Sequence, residues 1–246
     1  MSNKSIAWDK LAKKYDSDFG EDGDYSHKYV IYPAIDQLLG TIMNKKAVDL
    51  GCGTGTYTRK LVKKGAITEG IDFSREMINI AIGRNSTAKY SVNDLATKLP
   101  FNNGEFDIAL SIMVLHSIAH IHTPVGEACR ILKKGGQFIA VIPHPAHIDQ
   151  FRSIQLEDSD KYLSSQKGVF KWKQFGEICE IPTEFYVRSL EYYFSTFRKA
   201  GFIVNDIIEP EILEEAKSEL DEIHTLEAWQ RLRERPSFII FNCIKL

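Results

Sequence analysis

A chain of 246 residues has room for one or two domains at about 150 residues each. Its 31 Lys+Arg and 33 Asp+Glu leave a net charge of −2, and 43% of it is hydrophobic. That balance excludes disordered and fibrous classes and supplies no broad pull toward nucleic acid or an anionic membrane. The four cysteines (Cys52, Cys129, Cys179 and Cys243) show neither C-x-x-C nor finger spacing, which argues for reduced thiols. The start, MSNKSIAWDK, lacks a signal peptide's apolar core, and FDIALSIMVL (106–115) is far shorter than the roughly 20 residues of a membrane helix. A cytoplasmic protein, monomeric or homodimeric, is expected.

In chain order, residues 1–45 form a helical lead-in. Trp8, Leu11, Ala12 and Tyr15 fall at helical spacing, GEDGDYS (20–26) reads as a loop, and Val30 to Leu39 gives a second helix ending at Gly40. Short β-branched runs then alternate with helical periods. The runs are KAVDL (46–50), ITEGID (67–72), AKYSV (88–92), FDIALSI (106–112) and GQFIAVI (136–142), with helices near 56–64, 74–83 and 123–132. This repetition implies right-handed crossovers and a doubly wound, mostly parallel α/β sheet. Residues 144–187 break the rhythm: polar, aromatic-rich and irregular, they read as an insertion after strand five. A helix at 189–200, a strand at 202–208, a charged helical stretch over 211–233 and a last strand in 237–246 complete seven strands.

VDLGCGTGTYT (48–58) joins a buried strand to a helix. Asp49 ends the strand, and Gly51, Gly53 and Gly55 follow around Cys52, a small residue within the turn. Glycines there let a ligand approach the backbone, while the next helix directs free N–H groups over the loop. Some twenty residues on, Asp72 closes strand two, where a carboxylate reaches the paired hydroxyls of a ribose. A nucleoside site at the carboxyl edge of the sheet is expected.

A dinucleotide fold uses G-x-G-x-x-G, but Gly55 follows Gly53 after one residue. The spacing D-x-G-x-G-x-G resembles that of Rossmann-like S-adenosylmethionine-dependent methyltransferases, and the resemblance runs from about residue 46 to 142. It implies a cofactor, S-adenosylmethionine, whose product is S-adenosylhomocysteine. GIDFS (70–74) looks like the second motif, with Asp72 on the ribose and Phe73 and Met77 flanking adenine. VNDLATKLPF (92–101) resembles the third, with Asp94 accepting from the adenine amino group and Leu95 beside the ring. FDIALSIMVLHSI (106–118) is similar to the fourth and leaves Ser111 and Ile112 at the methionine end. Asp94 could instead cap its turn, and Phe73 and Met77 could be core.

Methyl transfer from a sulfonium needs alignment first and a base only where the nucleophile carries a proton. His116, just past strand four, is the candidate base, with packing beside the cofactor as the plainer role. His120-x-His122 and His144-x-x-His147 lack acidic or cysteine partners, so no metal is expected. Aromatic residues crowd the lead-in and the insertion, which suits a small, partly apolar acceptor under a cover made by both segments. Tyr15 is assigned to the cofactor, and His27, His144, Phe151, Trp172 and Tyr186 to the acceptor. A nucleic-acid (RNA) methyltransferase is disfavoured because SIMV (111–114) replaces the proline-paired turn of amine-methylating enzymes and no basic stripe appears. A non-catalytic cofactor-binding protein is the other alternative.

Overall fold

The computed structural model describes residues 3–84, 86–150, 154–156, 162–174, 177–220 and 225–246. Helix α1 (Asn3–Phe19) leads, and a π-helical turn (His27–Ile31) runs directly into α2 (Tyr32–Leu39). Then come β1 (Lys46–Leu50), α3 (Thr56–Lys63), β2 (Ile67–Asp72), α4 (Arg75–Gly83), β3 (Lys89–Val92) and β4 (Phe106–Ile112). After α5 (His122–Ile131), β5 (Leu132–Pro143) begins four residues earlier than the expected run, with Gly135 at φ 74° and a register shift against β4 inside the added stretch.

The main sheet has the order β3-β2-β1-β4-β5, continued by the last and next-to-last strands of the chain. Strands β1 to β5 are parallel. The order reverses between β1 and β4, and a crevice opens outside the carboxyl ends of the strands at such a switch point. Side-chain alternation divides the core between two faces. Phe138, Ala140 and Ile142 pack with Val125, Tyr193 and Phe197 on one face; Ile139 and Val141 pack with Ile31, Ile35, Leu61 and Trp229 on the other.

Residues 144–187 depart from expectation. They carry β6 (Ile154–Leu156), β7 (Gln166–Gln174) and β8 (Glu177–Val187), a three-stranded antiparallel sheet. Lysines, glutamates and Pro182 interrupt these runs and hide the strand signal in the sequence. β8 lies against α1 and against the 3-10 turn Leu115–Ser117. Arg188 follows β8 directly and is almost wholly buried, donating to the carbonyls of Leu115, Ile118 and Ala119 between the rings of Tyr186 and Tyr192.

Ser189 caps α6 (Leu190–Ala200) by accepting from the Tyr192 N–H, and Gly201 ends it at φ 103°. β9 (Phe202–Ile208) follows. The 211–233 stretch is not one helix: a 3-10 turn (Glu214–Glu219) comes first, and Thr225 then caps a separate α7 (Leu226–Glu234). β10 (Phe238–Lys245) runs antiparallel between β5 and β9, completing seven strands. Among the described residues, no helix is long and apolar enough to cross a membrane.

Candidate active site

The loop after β1 turns through left-handed backbone at Gly51 (φ 85°) and Gly55 (φ 76°). A Cβ on Gly51 would lie 2.5 Å from Val114, and one on Gly55 would lie 2.7 Å from the Tyr90 hydroxyl, so both positions demand glycine. The N–H groups of Gly51 and Cys52 both donate to the Ile71 carbonyl, fastening the loop to β2. Gly53 donates to Asp72 Oδ2 at 3.0 Å, and Ser74 donates its N–H to Asp72 Oδ1 at 2.9 Å. The acid closing β2 therefore grips the loop, one strand away from where the sequence begins it.

Asp49 and Asp72 are both buried. Burial pushes each carboxyl up to about 6, although Thr58 donates to Asp49 at 2.6 Å and backbone N–H groups serve Asp72. Around them the hydroxyls of Thr54, Thr56 and Ser111 are buried with no hydrogen-bond partner among the described residues. Each such group costs about 1–3 kcal/mol. Thr54 and Thr56 beside two buried acids mark a surface built to meet a polar ligand, and their donors and acceptors suit the hydroxyls, amine and carboxylate of an amino-acid-bearing nucleoside.

Helix α1 covers this loop. Tyr15 lies 3.8 Å from the place a Gly53 Cβ would take, stacked on Phe19 with ring centroids 3.9 Å apart. Asp9 accepts from Ser74 Oγ at 2.6 Å and from the Glu76 N–H at 3.1 Å, joining the lid to the start of α4, and Asp16 pairs with Arg84. The pocket beside the glycine loop lies beneath this lid.

That pocket brings together Tyr15, His27, Asp49, Gly51, Cys52, Gly53 and Ile112 from the sequence assignment. Gly55 and Asp72 adjoin it through the loop. His27, assigned to the acceptor, therefore sits at the glycine loop. Other assigned residues lie apart. Met77 is buried on α4 with its N–H bonded to Ser74 Oγ, and Leu95 belongs to the apolar core. Phe73 is half-buried, and exposed Asp94 accepts from the Ala96 N–H, capping its own turn. Ser111, though buried near the crevice, does not line the pocket.

His116, offered either as base or as packing beside the cofactor, does not line this pocket. Its ring packs on Phe185 with centroids 4.8 Å apart, away from the pocket lining. Burial first and the Arg188 charge second push it down to about 3, so it stays neutral and holds a proton poorly. His144 is also displaced: its Nε2 meets Glu209 at 2.7 Å and its ring faces His147. Tyr186 donates to Glu184 at 3.0 Å beneath Arg188, outside the pocket lining. Phe151 lies outside the described residues, as does the side chain of Trp172, whose backbone is in β7.

Phe19 and Tyr32, from the aromatic lead-in, complete the lining together with Thr54, Thr56 and Tyr57, which sequence reasoning missed. Tyr32 stands over Tyr57 at 4.8 Å, and Tyr57 donates to Asp36 at 2.7 Å. The two threonines stood inside the quoted motif, and their alternation with its glycines was the available signal.

A glycine loop at the switch point, bound to an acid at the end of the neighbouring strand, defines a Rossmann-like nucleoside-binding domain. Residues 48–140 match the family profile described as a methyltransferase domain. An uncharacterized protein of Methanocaldococcus jannaschii is 30% identical over 203 residues, 80% of this chain and 75% of that protein. Demethylmenaquinone methyltransferase of Tropheryma whipplei is 33% identical over 115 residues, 44% of this chain. The match spans 46% of that relative, about half its length. The S-adenosylmethionine-dependent methyltransferase structure from Mesorhizobium loti shares the fold, with a TM-score of 0.71 at 22% identity over 92% of this chain and all of that one. The chain belongs to the Rossmann-like, class I S-adenosylmethionine-dependent methyltransferases, whose cofactor is S-adenosylmethionine.

Proposed function

We propose that this protein transfers the methyl group of S-adenosylmethionine to an O, N or C nucleophile on a small, partly apolar molecule. One observation carries the reading: the Asp72–Gly53 clasp and the orphan threonine hydroxyls meet at the β1/β4 crevice. In this reading Asp72 takes the ribose hydroxyls and Asp49 the amino group of the methionine end. The sulfonium supplies a methyl already activated by its leaving group. The chain's own part is to orient and to exclude water, tasks that suit a lid lying over the pocket.

The acceptor class rests on the aromatic cover. Residues 1–45 form the lid and the 144–187 insertion the second wall, and the contact of β8 with α1 supports treating them as one cover. A relative named for a small acceptor, the demethylmenaquinone methyltransferase, fits this reading.

Calorimetry and thermal shift test it. S-adenosylhomocysteine should bind and raise the melting temperature, while NAD should not; the opposite result overturns the cofactor. Asp72→Ala should weaken S-adenosylhomocysteine by about 1.5–3 kcal/mol, the range for hydrogen bonds to a charged group. Unchanged affinity would mean the ribose lies elsewhere.

A further inference from the structure

The pocket beneath the lid has an uneven charge. Among its described lining residues, Asp49 is the one carboxylate and His27 the one basic group. His27 opens the π-helical turn ahead of α2 and is buried between Phe19 and Tyr32, with ring centroids 4.9 and 5.3 Å away. Its Nδ1 lies 2.8 Å from Asp24 Oδ1, and the same oxygen accepts the His27 N–H at 2.9 Å. With Nδ1 held by Asp24, Nε2 is the ring's remaining polar atom, and it has no hydrogen-bond partner among the described residues. Burial pushes the Asp24 carboxyl up, but the charge of His27 and the N–H groups of His27 and Ser26 outweigh it and hold Asp24 below the usual range.

The other groups around the ring are accounted for. Phe19 and Tyr32 flank it, and Tyr15 from α1 and Asp49 from β1 line the same pocket. At the rim Asp22 pairs with Lys60 at 2.8 Å. Arg59, on α3, turns Nη1 onto the Thr54 carbonyl at 2.7 Å and does not line the pocket. An amino acid end carries one positive and one negative group, and this pocket offers one partner for each.

Resting on the cofactor reading above, we infer that His27, oriented by Asp24, is the counter-ion for the α-carboxylate of the cofactor's methionine moiety. Nε2–H then donates to that carboxylate while Asp24 keeps Nδ1–H. Both ring nitrogens act as donors only in the imidazolium. The counter-ion is thus the imidazolium, paired with a carboxylate on each side. Because His27 belongs to the lid and Asp49 to the sheet, the two ends of the zwitterion tie one to the other.

Two ligands separate this from the general cofactor reading: S-adenosylhomocysteine, which has the amino acid end, and 5′-methylthioadenosine, which lacks it. His27→Gln should weaken S-adenosylhomocysteine by at least about tenfold, as expected for losing a charged hydrogen bond. It should leave 5′-methylthioadenosine within about twofold of wild type, which also reports an intact fold. S-adenosylhomocysteine affinity within twofold of wild type in His27→Gln overturns the inference, as does an equal loss for the two ligands. Failure of the wild-type protein to bind either ligand removes the cofactor reading itself, and this inference with it.

Discussion

Asp49→Asn should make the ligand-free protein more stable at neutral pH. The carboxyl titrates near 3.8 when unfolded and at about 6 in the fold, chiefly because it is buried. The folded state therefore binds its proton more tightly. That contribution is complete below pH 3.8 and is lost as pH rises through 6. At 1.36 kcal/mol per pH unit, the loss approaches about 3 kcal/mol by pH 7.5. Asparagine keeps an acceptor oxygen for the Thr58 hydroxyl, now at 2.6 Å from the carboxylate, without the buried charge. Urea unfolding at pH 4 and pH 7.5 gives the comparison: little difference at pH 4, and the variant ahead by about 1–3 kcal/mol at pH 7.5. The same substitution should weaken S-adenosylhomocysteine at least about tenfold, since the ammonium loses its carboxylate. A variant less stable at pH 7.5, or a difference independent of pH, would refute the burial account of Asp49.

Two further substitutions probe the site's walls. Gly55→Ala places a Cβ 2.7 Å from the Tyr90 hydroxyl at φ 76° and should cost about 1–3 kcal/mol in urea unfolding; unchanged stability would show that the loop relaxes freely. His116→Leu removes a half-buried ring whose buried Nδ1 has no partner among the described residues, and should leave S-adenosylhomocysteine affinity within about twofold and stability within about 1 kcal/mol; a tenfold loss of affinity by calorimetry would return His116 to the site.

The main sheet was legible because its strands are short and β-branched, and each helix between them carries its own period. KAVDL and FDIALSI became strands at the expected residues, since both faces of the sheet are covered and neither run needs polar relief. The glycine loop and Asp72 were legible because a tight turn and a close approach permit few residue types. His116, His144 and Tyr186 were not, because their positions along the chain say little about which way a side chain turns. Each found a local partner: Phe185, Glu209 and Glu184 respectively. The insertion's strands escaped notice because pairing within β7 and β8 satisfies the backbone without the apolar run of a parallel strand. His27 was singled out for the acceptor, but its pairing with Asp24, three residues back, gave no signal until the π-helical turn set the two side by side.

Arg188 has a consequence for how such a chain can diversify. Its guanidinium is tethered to three carbonyls of the segment following β4, so its anchorage depends on backbone and survives any change of side chain at those three positions. The strands between β5 and this anchor behave as a cassette clipped in at its exit. Selection can rewrite their sequence while the glycine loop and its two acids stay in register.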